Sequence, residues 1–381
     1  MDDELIEASK AGDFQKISKL LEKEADIHAE NDSALDYSSQ YGYLEIVKFL
    51  VDNGADINAN NDAPLRGASQ NGYLEVVKFL IEKGADIHSQ NEYALCFASS
   101  NGHLEVVKFL IEKGADIHIN NDTPLRWASH GGHLEVVKFL VDNGANIHAD
   151  NDYSLSWASH CGHLEVVKFL IEKGADIHAN NNDSLSSASR SGHQEVVKFL
   201  VDNGADIHVH DDYALLSASH NRHLQVVKFL VEKGADIHAD NNSALRFASY
   251  NGHIEIVKFL VDNGADIHAQ NDDALCSASY YGHIEIVKFL VENGADISVL
   301  SMKMKCKVGI PIIWSKKPDN LPPFRETFEC PISQIKLNSD VSQLGCSFCM
   351  NVFEKEALED WFKTGKDRCP MCRTDSKFYL V

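Results

Sequence analysis

Four cysteines near the end of the chain are the residues best placed to do chemistry. Cys346 and Cys349 form one Cys-x-x-Cys pair, Cys369 and Cys372 form another, and 19 residues separate the two. A turn of that spacing presents two thiolates to one ion, and two such turns complete a tetrahedral set for a single structural Zn²⁺. Six of the nine cysteines lie after residue 300, a distribution that points to metal in a reducing compartment. The segment that holds the pairs, residues 324–381, is too short for a sizeable core, so bound zinc would supply much of its folding free energy. Prolines at 311, 318, 322 and 323 set it off and mark residues 301–323 as a capping segment and linker.

The flanking residues extend this reading. Cys330-Pro331-Ile332-Ser333, the stretch from Val352 to Trp361, and Cys369-Pro370-Met371-Cys372-Arg373 together resemble the RING and U-box group of ubiquitin and SUMO ligase domains, including the one-zinc SP-RING form. The resemblance implies a small α+β domain in which Ile332, Trp361 and Pro370 contact a ubiquitin-conjugating enzyme while Arg373 helps fix the loaded ubiquitin. Ser333, Glu354 and Ala357 stand where a full RING has cysteines, which removes one of its two zinc sites and leaves Cys330 without a metal. Asn351 falls where His is usual, so the fourth ligand is either Cys346 or a group near Asn351.

Before residue 300 a different regularity governs the chain. Leucines at 5, 35, 65, 95, 125, 155, 185, 215, 245 and 275 define ten tandem units of 30 residues, which have to be read as repeats before any domain count. In one unit, Thr123-Pro124-Leu125-Arg126-Trp127-Ala128-Ser129-His130 places Pro early and small residues at helical spacing, predicting a short helix that ends near Gly131-Gly132. His133 to Val141 predicts a second helix with Glu135 and Lys138 on an exposed stripe and Gly144 ending it. Thr-Pro-Leu, Ala-Ser-x-x-Gly-His, Glu-Val-Val-Lys-Phe-Leu and Gly-Ala-Asp-Ile in that order resemble the ankyrin repeat. The resemblance implies a mostly α solenoid of ten helix-pair repeats over residues 1–300. The usual ankyrin unit is three residues longer, so the projecting β-hairpin finger should be short or absent. The family's His after Thr-Pro-Leu is replaced by Arg66, Arg126 or other residues, and its hydrogen bonds need another source. The short Asn/Asp-rich unit is also similar in style to the ankyrin arrays of giant DNA viruses.

Repeats bury their apolar faces only against neighbours, so the end units must be atypical. Repeat one has Lys16 and Lys19 where a later repeat has Val106 and Phe109, and Glu24 where the others have Gly. Repeat ten keeps its apolar face, and Val308, Ile310, Ile312, Ile313 and Trp314 are expected to cover it.

Between repeats the second helix hardly changes, while the residues after Ala-Ser change freely: Tyr41, His130, His160, Arg190, His220, Tyr250, Tyr280 and Tyr281. The ankyrin resemblance places these on a concave groove that binds protein, and Tyr and Arg are common interface anchors. Phe97, Trp127, Trp157 and Phe247 occupy a position expected to pack between neighbouring repeats. Histidines recur after Gly (His103, His133, His163, His253, His283) and after Asp-Ile or Asn-Ile (His88, His118, His148, His178). Both sets recur with the unit and are read as structural. No catalytic constellation stands out in residues 1–300, and Cys96, Cys161 and Cys276 are isolated thiols.

Net charge is −22. Residues 301–381 hold 13 Lys and Arg against 10 Asp and Glu, which leaves 22 against 47 before them. The repeats therefore carry −25 and the tail +3, a field that disfavours nucleic acid and anionic membrane and favours a protein partner with a basic surface. No stretch approaches the ~20 apolar residues of a membrane span, and the N-terminus is acidic where a secretory signal would be basic. The expected location is the cytoplasm, that of the host if the chain is viral. The expected function is protein binding on the ankyrin groove with presentation of the bound protein for ubiquitin transfer. A non-enzymatic scaffold with a structural zinc module, and a SUMO ligase, are the alternatives.

Overall fold

The computed structural model describes residues 1–301 and 304, together with four short strands further on. The chain divides into two compact units, Met1–Ala235 and Asp236–Val381. The helix pairs of repeats one to eight lie in the first, and those of repeats nine and ten in the second.

Each repeat is a helix pair. In repeat five the helices are Ile119–Gly131 and Leu134–Asp142, and in repeat ten they are Ala269–Tyr281 and Ile284–Glu292. The repeat leucine is no more than 1% exposed at any of its ten positions. Val136, Val137 and Leu140 of the second helix are equally buried, while Glu135 and Lys138 pair at 2.8 Å on the outer surface. Such a pair adds only a few tenths of a kcal/mol. The apolar column holds the repeat together. Within each unit, neighbouring first helices pack along their length whereas second helices meet at few points. The first helices approach closely because their contact positions are small: Ala128, Ser129, Ala158 and Ser159 are completely buried. The first-helix side is thus the tighter side of each unit.

The junctions between repeats are left-handed turns. Asn120, Asn121 and Asp122 have φ of 47°, 56° and 56°, and the same three-residue turn recurs at every junction from Glu30–Asp32 to Gln270–Asp272. For an L-residue this conformation costs roughly 1–2 kcal/mol, and Asn and Asp bear it best. This explains the Asn/Asp-rich linker. The turn takes the place of the finger, and no strand separates repeats among residues 1–301. The missing family histidine also finds its substitute here. Arg126 donates to Asn120 O and Thr123 Oγ1, both at 2.7 Å, and Arg66 donates to Asn60 O at 3.3 Å, so the arginine closes the turn from inside the next helix.

The first end behaves as a cap. Lys16 and Lys19 are exposed while Ile17 and Leu20 are buried, and Glu24 holds the left-handed conformation at φ 67° that Gly supplies elsewhere. At the other end a 3-10 turn, Ile297–Val299, is capped by Asp296, which accepts the Ser298 N–H at 2.7 Å. Burial there begins with Leu300 and Met304, at 4% and 5% exposure, earlier than the apolar run picked out in the sequence. Val308 and Ile310 lie outside the described residues. Ile312–Trp314 form strand β1, followed by β2 (Gln343–Cys346), β3 (Asn351–Glu354) and β4 (Phe378–Leu380). Their order is β1-β3-β2-β4, with β1 parallel to β3 and the other pairs antiparallel. Among the described residues no helix is long and apolar enough to cross a membrane.

Candidate protein-binding face

The face is positioned by polar bonds that repeat with the unit. The last residue of each left-handed turn points inward: Asp122 is 4% exposed, receives His118 Nδ1 at 3.0 Å and the Asn146 backbone N–H at 2.8 Å, and so ties one junction to the next. In the first unit Asp32, Asp62, Glu92 and Asp152 make the same bond to the backbone of Asp56, Asp86, Asp116 and Asp176. Asn182 does so to Asp206, and in the second unit Asn242 bonds Asp266 and Asp272 bonds Asp296. What the position requires is an acceptor, since Asn serves twice. A carboxylate only accepts, so His118 carries its proton on Nδ1.

The other histidine set has the opposite tautomer. His133 Nε2 donates to Ser100 O at 2.9 Å, His163 to His130 O at 2.8 Å and His223 to Arg190 O at 2.9 Å. In the second unit His283 donates to Tyr250 O at 2.9 Å. Each ring lies against a glycine of the preceding repeat, and a side chain at Gly102 or Gly132 would overlap it. The carbonyls held this way belong to the variable residues that follow Ala-Ser. Both histidine sets are therefore structural, and the second anchors the backbone of the variable row.

All eight variable residues singled out in the sequence are exposed at the ends of the first helices. They make contacts with the next repeat. The His130 ring stands 4.4 Å from Trp157, His160 Nδ1 is 3.0 Å from Ser191 Oγ, and Arg190 donates to Tyr213 Oη at 3.0 Å. In the second unit the Tyr281 hydroxyl donates to that of Tyr250 at 2.9 Å, and Tyr280 is 84% exposed. Beside the row runs an aromatic strip: Tyr93 on Phe97 at 5.6 Å, Phe97 on Trp127 at 5.5 Å, Tyr153 on Trp157 at 5.5 Å. Phe97, Trp127, Trp157 and Phe247, expected to pack between neighbouring repeats, are half-buried, and Phe97 meets Trp127 of the next repeat. Tyr93 and Tyr153, which the sequence did not single out, complete the strip. Their signal was the aromatic pair four residues apart on one helix face, Tyr93 with Phe97 and Tyr153 with Trp157.

The family model described as ankyrin repeats (3 copies) matches residues 4–61, 65–151, 146–211, 185–271 and 214–301. The chain belongs to the ankyrin-repeat family. Ankyrin repeats bind protein targets, and the array is a protein–protein interaction scaffold. No curated protein matches the chain.

Of the residues assigned to the C-terminal module, Ile332, Trp361, Pro370, Arg373, Cys349, Cys369 and Cys372 lie outside the described residues. Cys346 ends β2 and Asn351 begins β3. Among the described residues of the ankyrin array no group of His, Cys, Asp and Glu could hold a metal ion. Cys96 is buried, which pushes its thiol up to about 12, so it is no nucleophile at neutral pH.

Acidity tests the histidine sets against each other. Burial first, then the neighbouring histidine charges, hold His133 and His193 below the ordinary histidine pKa. The hydrogen bond that His88 donates to Glu92 holds His88 above it. A lowered folded pKa means protonation favours the unfolded chain: stability is complete above the unfolded value, about 6.5, and is lost as pH falls through the folded one. For His88 the sign reverses, its contribution being complete below about 6.5 and fading as pH rises through the folded value. The fall in Tm between pH 7.5 and 5.5 is therefore expected to shrink in His133→Gln/His193→Gln and to grow in His88→Gln. Equal pH profiles for all three proteins would refute the assignment.

Proposed function

We propose that the exposed variable residues of the array, Tyr41, His130, His160, Arg190 and His220 in the first unit and Tyr250, Tyr280 and Tyr281 in the second, dock a protein, which the C-terminal module presents for ubiquitin transfer. The observation that carries the docking reading is the row itself: exposed, varied residues, of which His130, Arg190 and Tyr250 have their backbone carbonyls held by a recurring histidine of the next repeat. Such a division of labour keeps a surface rigid while its side chains differ, which lowers the ordering cost of binding. The net charge of the array favours a partner with a basic outer surface. The transfer reading is supported by the sequence of residues 324–381. Cys346, Cys349, Cys369 and Cys372 would hold one Zn²⁺, Ile332, Trp361 and Pro370 would receive the conjugating enzyme, and Arg373 would steady its ubiquitin. Catalysis would be by proximity, with no covalent intermediate on this chain. The work would be done in the cytoplasm.

The test is a reconstituted self-modification assay on the full chain with activating enzyme and a panel of ubiquitin- and SUMO-conjugating enzymes, beside a zinc determination on the same preparation. Ubiquitin transfer lost in both Ile332→Ala and Arg373→Ala is the expected result. Transfer of SUMO alone would reassign the modifier. No transfer by folded protein carrying one zinc per chain would leave a non-enzymatic scaffold.

A further inference from the structure

The array is strongly acidic, but its acid is not spread evenly over its surface. In repeats five to eight the carboxylates of the second helices, such as Glu135, Glu165 and Glu195, sit on the outer helices paired with lysines three residues on. The first helices of the same repeats are Ile119–Gly131, Tyr153–Cys161, Ala179–Ser191 and Val209–His220. Beyond their left-handed turns they carry Arg126, His130, His160, Arg190 and His220 against one carboxylate, Asp183, and Arg126 is itself paired with Asp150 of the next turn at 2.7 Å, which leaves Arg190 as the arginine of the row. Asp183 is occupied, accepting the Ser156 hydroxyl. His130, His160, Arg190 and His220 stand at the same position of four successive repeats and are all exposed. At ~10 Å per packed helix they form a row of roughly 30 Å, bordered by Trp127, Trp157 and Tyr213.

Resting on the docking reading above, we infer that this stretch of the face receives the acidic side chains of an extended segment of the partner protein. Arg190 is the central cationic anchor. Its guanidinium lies 5.8 Å from the centre of the Tyr213 ring and donates to the Tyr213 hydroxyl at 3.0 Å, contacts that hold its planar fork in place for a carboxylate. The three histidines add N–H donors on either side. The charges of His163 and His160, after burial, lower the pKa of His130, as expected where histidine charges gather without opposing acid. The Trp127 and Trp157 rings give the aliphatic stems of Glu an apolar bed. The long-range field is acidic, while the contact row presents the Arg190 guanidinium and histidine N–H donors. The outer helices steer a basic surface inward, and the row accepts that partner's local acidic anchors.

The test is selection of a random 12-residue peptide display library on the full chain at pH 7, followed by anisotropy of the enriched peptides on wild type, Arg190→Glu and Arg190→Gln. The expected outcome is enrichment of Asp and Glu at intervals, with binding weakened at least tenfold by Arg190→Glu and less by Arg190→Gln. Thermal melting is followed alongside; both variants alter an exposed side chain and should melt with wild type. Enrichment of Lys- and Arg-rich peptides, sensitive to substitution of His160 or Tyr250 but not of Arg190, would overturn the acidic-anchor inference and leave the docking face standing. Peptides whose binding ignores every substitution in the row would overturn both.

Discussion

Asp122→Ala is expected to cost about 3 kcal/mol, while Asp122→Asn should cost less than about 1 kcal/mol. The alanine variant loses the acceptor of two donors at once, leaving the part-buried Asn146 N–H without its partner and His118 Nδ1 free. A stranded buried donor alone costs about 1–3 kcal/mol. Alanine also bears φ of 56° less well than Asp, whose short polar side chain bonds locally. The asparagine variant keeps an oxygen in place, as Asn182 does at 3.0 Å from Asp206 N and Asn242 at 2.8 Å from Asp266 N. The measurements are urea midpoints for the three proteins and hydrogen exchange at the Asn146 amide, which should quicken sharply in Asp122→Ala alone. Equal losses in the two variants would show that charge, rather than the acceptor, is what the junction needs.

The second large effect is expected at Gly132. It has φ +75°, and a Cβ there would overlap His163 Nδ1, a ring held by its 2.8 Å bond to His130 O. Gly144 shares the left-handed conformation at φ +98° but has nothing within 4 Å of where a Cβ would lie. Gly144→Ala should therefore show the backbone strain alone, about 1–2 kcal/mol. Gly132→Ala adds displacement of the histidine and the loss of its bond, for about 3 kcal/mol in total. A double-mutant cycle with His163→Ala should show about 1 kcal/mol of coupling at Gly132 and none at Gly144. Since that bond fixes the His130 carbonyl, Gly132→Ala should also weaken peptide binding on the row, and Gly144→Ala should not. Identical losses at the two glycines would discard the stacking argument.

The helix pairs could be read directly because their cause is local and periodic. The leucine column, the Val-Val-x-x-Leu face and the glycine ends each repeat ten times or nearly so, and each follows from burial or backbone sterics within one unit. The capped first repeat was legible for the same reason, since Lys16 and Lys19 stand where burial would demand apolar groups. The variable row was legible by comparing the chain with itself, and all of its residues fall on the exposed ends of the first helices. The finger's absence was readable from the unit's length, but the left-handed turn that replaces it was not. Asn-rich segments read as polar loop, and the sequence does not show that three successive residues take positive φ.

What the sequence determined by itself was the repeat, its two helices, its family and a surface free to vary. Tertiary structure alone decided which polar groups are buried and which charges face a partner. Asp122 looks like any linker carboxylate until packing brings it the Asn146 N–H from 24 residues away, and only that donor makes its burial tolerable. Trp127 and Trp157 are expected between neighbouring repeats, and only the packing shows that half of each ring stays open beside the variable residues. Net charge, a sum over the chain, hid a row of arginine and histidine donors, because the stacking of repeats sorts side chains by face and composition does not.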